Sequence, residues 1–304
     1  VRAPVAEHGR EINAVHCAGV VDIARAGIAR LPALATVGDE VAIRVTEFAG
    51  SDLAVVNDAV VVAVSRPLDD IVREVSELAS TGVTEVTLLG QNVNSYGRDI
   101  ALSARQAGDD VRVSPRFAEL LRRVGSVDGI RRVRYTSPHP KDMREDVLRA
   151  MAETPSVCEH LHYPLQSGSD RVLALMHRGY TAERYLERLA QARAAIPDLA
   201  VSTDIIVGFP GETEDDFVRT LEVSAAADFD SAYTFIFSPR EGTEAATMTD
   251  AFVDPSVVAD RFERLRTVVE RTAVRRHRER IGRTEEVVVE EAVVEEAAAD
   301  GGEG

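Results

Sequence analysis

With 304 residues, 45% of them hydrophobic, the chain is long enough to bury a sizeable core and reads as one main domain with attached ends. No apolar run reaches the roughly 18 to 20 residues of a spanning helix, and Val1-Arg2-Ala3-Pro4 lacks the charged and apolar stretches of a secretory leader, so neither a membrane nor an export signal is expected. The net charge of −16 speaks against a nucleic-acid partner at first sight, yet eight acidic and no basic residues lie between Thr284 and Gly304, which is half of the excess.

Two cysteines far apart in sequence, Cys17 and Cys158, do not form a disulfide framework, and a reduced cytoplasmic setting is the expectation. Basic residues gather at Arg122, Arg123, Arg131, Arg132 and Arg134, and again at Arg271, Arg275, Arg276, Arg278 and Arg280. Each group reads equally as a solvated helix face or strand end, so charge alone does not choose the partner.

Residues 1–64 are rich in Ala and Val, with strand candidates at Ala42–Thr46 and Ala59–Val64 and few turn signals between them. From about Leu68 strands alternate with amphipathic helices. Ile71, Val72, Val75, Leu78 and Ala79 share one helical face, and Val83 to Leu89 reads as a buried strand closed by Gly90. Ser114-Pro115 predicts a capped helix running to about Val124, followed by a strand from Ile130 to Thr136 and a helix carrying Val147, Leu148 and Met151. A short strand follows at His160–Pro164, a helix opens near Ser169, and another carries Tyr185, Leu186, Leu189 and Ala192. Leu199–Val207 is apolar and β-branched. Thr213 to Asp216 has capping-box spacing, Ser231–Phe237 is the last clear strand, and Phe262, Leu265, Val268, Val269 and Ala273 stripe a long basic helix.

About five strand–helix–strand steps imply an α/β fold with a parallel sheet, open or closed into a barrel, whose functional residues lie at the C-terminal strand ends. Polar motifs fall at just those ends. Gly90-Gln91-Asn92-Val93-Asn94-Ser95-Tyr96-Gly97 offers amides and hydroxyls to a polar ligand, although an Asn- and Gly-rich turn needs none. His139 stands between Pro138 and Pro140. Cys158, His160 and His162 alternate and so share a strand face, but no fourth metal ligand stands at recognisable spacing. In Leu165-Gln166-Ser167-Gly168-Ser169-Asp170 the glycine permits close backbone approach and Ser169 can cap a helix; Arg178, two turns on, can pair with a carboxylate. The most distinctive motif runs from Asp204 through Ile205-Ile206-Val207-Gly208-Phe209-Pro210-Gly211-Glu212 to Thr213: a buried strand with one acid, a tight turn, and a capped helix.

Taken together with Thr84–Gly97, Tyr135–Asp142 and Phe237-Ser238-Pro239-Arg240-Glu241-Gly242-Thr243, these segments resemble the radical S-adenosylmethionine (SAM) methylthiotransferases, in one order from about Ser65 to Arg283. The Gly90–Gly97 stretch is most similar to the branch that adds a methylthio group to C2 of N6-isopentenyladenosine beside the tRNA anticodon. The resemblance implies a partial (β/α)6 TIM-like barrel with SAM across the strand C-terminal ends. It places Gln91, Asn92, Gln166, Arg178, Asp204 and Gly208 at the cofactor and Asn94, His139 and Ser169 at the substrate. It also implies tRNA as the partner of a monomer that meets neither membrane nor DNA.

The same resemblance exposes departures. The family holds a [4Fe-4S] cluster on a C-x3-C-x2-C segment just before the position of Ser65-Arg66-Pro67, where this chain reads Ala54 to Val64 without a cysteine. Residues 1–64 resemble the family's N-terminal domain nowhere, as a shifted reading frame, a gene fusion or a truncated gene would leave it. Arg280–Thr284 and Val287-Val288-Val289 look like the start of the family's RNA-binding β-barrel, before an acidic tail over 284–304 whose composition favours disorder. The expected organisation is therefore an irregular segment to residue 64, a core over 65–283, and a truncated C-terminal extension. No catalytic residue or metal ligand is assigned. The chain is expected to be catalytically incompetent; the alternatives are a non-catalytic barrel that binds tRNA or SAM, and an unrelated barrel chemistry using His139, Arg178 and Asp204.

Overall fold

A computed structural model describes residues 19–24, 42–45, 59–108 and 113–287, and divides the chain into two compact units. The first holds strands β1 (Gly19–Ala24) and β2 (Ala42–Val45) together with the strand Thr284–Val287, in an antiparallel sheet with β1 in the centre. The expected strand at 42–46 is present, and the expected barrel start after Arg283 is a strand. Residues 288–304, on which tail disorder was expected, lie outside the described residues, as does Cys17.

The second unit spans Asp58–Glu279. Its first strand is β3 (Ala59–Ala63), which lies within the segment to residue 64 that was expected to be irregular. Then come α1 (Leu68–Ser80), β4 (Glu85–Leu89), α2 (Arg98–Gln106), α3 (Phe117–Gly125), β5 (Arg132–Tyr135), α4 (Glu145–Glu153) and β6 (His160–His162). They are followed by α5 (Asp170–Leu175), α6 (Ala182–Ala195), β7 (Ala200–Val207), α7 (Glu214–Ala227), β8 (Ser231–Ile236), α8 (Glu244–Thr247) and α9 (Pro255–Arg278). β3-β4-β5 and β6-β7-β8 form two parallel sheets in sequence order. A parallel bridge between Val133 of β5 and Val157, just before β6, links them. Six parallel strands in chain order, with helices between them, make the partial (β/α)6 barrel.

Side-chain alternation decides the two faces of the sheet. Val62, Val86, Leu88, Val133, Leu161, Val201, Ile205 and Val207 are buried on the face packed by helices. On the other face Val61 is 60% and Phe235 50% exposed, so the barrel interior is open. Its N-terminal end carries a cross-strand ion cluster. Glu85, 1% exposed, accepts from Arg132 Nε at 2.5 Å and Arg134 Nε at 2.8 Å, residues on β5 at and beside its register partner. Burial alone would raise the Glu85 carboxyl, but the two guanidiniums outweigh it and hold it below its ordinary value.

Helix ends follow local chemistry. Thr213 and Asp216 close a reciprocal capping box on α7, Ser169 caps α5, and Asp254 with Pro255 opens α9, whose last turn holds Arg275, Arg276, His277 and Arg278 against the negative end of the helix. The helix expected from Ser114-Pro115 starts later, at Phe117. The Arg116 amide donates to the Tyr96 carbonyl at 2.7 Å and its guanidinium pairs with Glu119, so the chain is pinned before the helix opens. α2 was not expected from the sequence: its Ile100 and Leu102 are exposed.

Candidate active site at the C-terminal mouth of the barrel

The loop after β4 is held by its own asparagines. Asn94, fully buried, accepts from the His139 N–H at 2.8 Å through Oδ1 and donates from Nδ2 to the His139 carbonyl at 3.0 Å. Its amide ties this loop to the one after β5. Asn92 donates to Asp142 Oδ2 at 2.7 Å, while its Oδ1 is buried without a partner. Gln91 is exposed.

His139 accepts the Lys141 N–H on Nδ1 at 3.2 Å and meets the Tyr180 ring edge-on at 5.8 Å. Burial, then the charges of Arg178 and Lys141, hold its imidazole below the ordinary value. Tyr180 in turn donates to the Pro164 and Leu165 carbonyls at 3.1 and 3.0 Å, which fixes the chain just beyond β6.

Gln166 sits beyond β6 with φ of 65°, a conformation that side chains seldom adopt, and its backbone bonds Asp204 and Ile206 on β7. Ser169, in contrast, is buried behind the turn. It caps α5 and donates to Asp216 Oδ1 at 2.6 Å, so its hydroxyl is engaged within the wall of the site where a substrate contact was expected. Gly168 has the same cause: a Cβ there would stand 2.6 Å from the Arg219 carbonyl oxygen and Thr220 Cα of α7. Gly208 likewise turns towards packing. Its φ is 75°, and a Cβ would meet Val258 of α9 at 2.6 Å, so its missing side chain admits a helix at the position where a cofactor contact was expected.

On the open face the expected alternation of β6 is present, with different partners. His160 Nε2 and His162 Nδ1 lie 3.1 and 2.9 Å from Ser202 Oγ, and His162 Nε2 lies 3.2 Å from Asp204 Oδ2. Burial pushes His160 down to about 4, so it is neutral near pH 7. Asp204 faces the interior, and His162 meets the Tyr233 ring at 6.2 Å. Gln166 and Asp204 are thus joined through the backbone, Asn92 and His139 through neighbouring loops, and Arg178 joins them through His139. Lys141, Asp142, Tyr180 and His162 were missed as a group. Lys141 and Asp142 stood inside a quoted motif and His162 on a named strand face, but only the fold brings them together.

The sequence matches the radical SAM superfamily over residues 56–223, more than half of the chain. The chain belongs to the radical SAM superfamily. It is 55% identical over 219 residues to the tRNA-2-methylthio-N(6)-dimethylallyladenosine synthase of Acidothermus cellulolyticus, covering 72% of this chain and 42% of that protein. The synthase of Salinispora arenicola is also 55% identical over 219 residues, covering 72% and 41%. The chain thus spans about two fifths of the length of these curated relatives. Coproporphyrinogen III oxidase (HemN) from Escherichia coli, a radical SAM enzyme, aligns with a TM-score of 0.48 at 16% identity, over 70% of this chain and 52% of that one.

Radical SAM enzymes use SAM and a [4Fe-4S] cluster, and the two fit this chain differently. β3 ends at Ala63 and α1 starts at Leu68, leaving Val64-Ser65-Arg66-Pro67 as the connection. Tyr96 pins it by donating to the Arg66 carbonyl at 2.9 Å. It contains no thiol and has no room for three spaced ligands. Among the described residues no cluster of His, Cys, Asp and Glu can hold a metal ion. Cys158 is free, but burial, the largest influence, pushes its thiol up and away from the thiolate that iron requires. The residues do not fit the cluster. For SAM they do: Asn92 Oδ1 and Thr136 Oγ1, just past β4 and β5, and Arg178 Nε are buried polar atoms without partners. No helix among the described residues is long and apolar enough to cross a membrane.

Proposed function

We propose that this chain binds SAM and a tRNA adenosine in the manner of a tRNA methylthiotransferase barrel, and that it does not start radical chemistry with a cluster of its own. The observation that carries this reading is the 219-residue match at 55% identity to a tRNA-2-methylthio-N(6)-dimethylallyladenosine synthase. Its motif loops converge at one barrel mouth, while the β3–α1 connection has no cluster ligands. Gln91, Asn92, Gln166, Arg178 and Asp204 hold the cofactor; bound there, SAM supplies activated carbon on its sulfonium. His139 meets the substrate, whereas Asn94, Ser169 and Gly208 act by fixing the loops. A cytoplasmic, monomeric protein with tRNA as partner, and neither membrane nor DNA, belongs to the same reading. In domain terms, residues before Asp58 and after Glu279 are attachments to this binding core.

Calorimetry with SAM tests the reading. Asp204 is held by His162 and carries the negative charge of the inner strand end, so Asp204→Ala is expected to weaken SAM binding about tenfold or more, the loss of one charge-assisted hydrogen bond. Wild-type protein that takes up no SAM, or an Asp204→Ala variant with unchanged affinity, would contradict it.

A further inference from the structure

Next to the mouth, the turn Pro140–Asp142 and the segment after α5 bring together two cations, Lys141 and Arg178, with one carboxylate, Asp142, paired to Lys141 at 3.8 Å. The Lys141 side chain passes over Gly179, since a Cβ on Gly179 would stand 3.4 Å from Lys141 Cδ. Lys141 thereby lies beside Arg178 and Tyr180. His139 contacts Tyr180 from the other side, and because its Nδ1 accepts from the Lys141 amide, the neutral ring carries its proton on Nε2.

The acceptors are fewer. Asp142 is the carboxylate that acts on His139, and it already accepts from Asn92 at 2.7 Å while standing 3.8 Å from Lys141 Nζ. Arg178 makes no ion pair among the described residues, unlike Arg171, Arg261, Arg275 and Arg276, and its Nε is buried without an acceptor. A buried cationic N–H left unpaired is costly, and ligand oxygens would remove that cost. Arginine offers a planar fork to two oxygens, and lysine a movable point charge.

We propose that Arg178, Lys141 and His139 form a clamp for an oxyanion at the rim of the barrel mouth. A carboxylate and a phosphodiester share this chemistry. Resting on the function proposed above, the source is the carboxylate of SAM or a backbone phosphate of tRNA.

Inorganic phosphate titrated into the full chain, read through the imidazole proton resonances with His139→Gln for assignment, tests the clamp without either ligand. A saturable shift of the His139 signal is expected, weakened about tenfold in Arg178→Gln and in Lys141→Gln. Lys141 is 44% exposed, so its variant keeps the fold even where the arginine variant does not. No shift in the wild type, or equal binding by both variants, overturns the clamp. The double variant then identifies the source. A tRNA salt dependence shallower by about 1 to 2 in log–log slope, with SAM affinity unchanged, assigns the phosphodiester. A tenfold loss of SAM affinity with tRNA binding intact assigns the carboxylate. Phosphate binding by a wild-type chain that takes up neither tRNA nor SAM leaves the clamp standing and removes the proposed function.

Discussion

Replacing Arg261 by alanine is expected to lower the unfolding free energy by about 3–5 kcal/mol, the loss typical of a buried ion pair broken on one side. Arg261 on α9 donates from Nη1 to Glu212 Oε2 at 3.0 Å and to the Glu212 carbonyl at 3.1 Å, and both side chains are buried. Glu212 Oε2 also accepts the Gly208 N–H at 2.9 Å, while Oε1 has no partner. Burial pushes the Glu212 carboxyl up, against the pull of Gly208 and Arg261. Without the guanidinium only the Gly208 N–H opposes the burial of this carboxylate, which weakens its hold on the turn from Gly208 to Glu212. The guanidinium also stacks over Phe217 at 5.6 Å, so packing is lost with the charge. Urea denaturation checks this, with Glu212→Gln/Arg261→Met as the comparison. Removing both charges leaves neither stranded, so the double variant should retain most of the stability that Arg261→Ala loses. Equal losses in the two would show that the charge pairing is not what matters.

Asp216→Asn is expected to cost about 3 kcal/mol at neutral pH, and this cost should shrink in acid. Asp216 accepts from Ser169 Oγ at 2.6 Å, from Thr213 N–H at 2.9 Å and Oγ at 2.6 Å, and pairs with Arg171. Leaving even two of these donors unpaired carries about 1–3 kcal/mol each, reduced by relaxation. Burial opposes the charge, but Arg171, Ser169 and Thr213 prevail and hold the carboxyl well below its ordinary range. The folded carboxylate therefore titrates below its unfolded value of about 3.9. Between those two values the unfolded chain binds the proton first, so stability is present above about pH 4 and is lost as the pH falls. Denaturant midpoints of the wild type and Asp216→Asn should converge below about pH 4. A constant difference across that range would remove Asp216 as the source.

Much of the barrel was legible because its signals are local. The capping box at Thr213–Asp216, the apolar run of β7, and the stripe on α9 each sit within one element and came through at nearly the expected places. The strand Ala59–Ala63 was visible as a candidate, but its membership in the sheet rests on pairing with β4, which sequence does not show. The candidate site was legible only as motifs. Gly208 and Gly168 read as openings for a ligand, whereas Val258 and the backbone of α7 fill the space beside them. Asn94 and Ser169 read as ligand contacts, whereas loop closure and helix capping consume their hydrogen bonds. A polar residue at a strand end announces itself by type, but its partner comes from another loop. That partner decides whether the side chain faces a ligand or holds the wall.

The claim that a SAM-binding barrel persists here without a cluster rests on Val64-Ser65-Arg66-Pro67 joining β3 directly to α1. Its most direct measurement is the iron and acid-labile sulfide content of the purified chain after anaerobic reconstitution, read together with visible absorbance. The expected result is background iron and no charge-transfer bands. A full [4Fe-4S] complement with those bands would contradict the account.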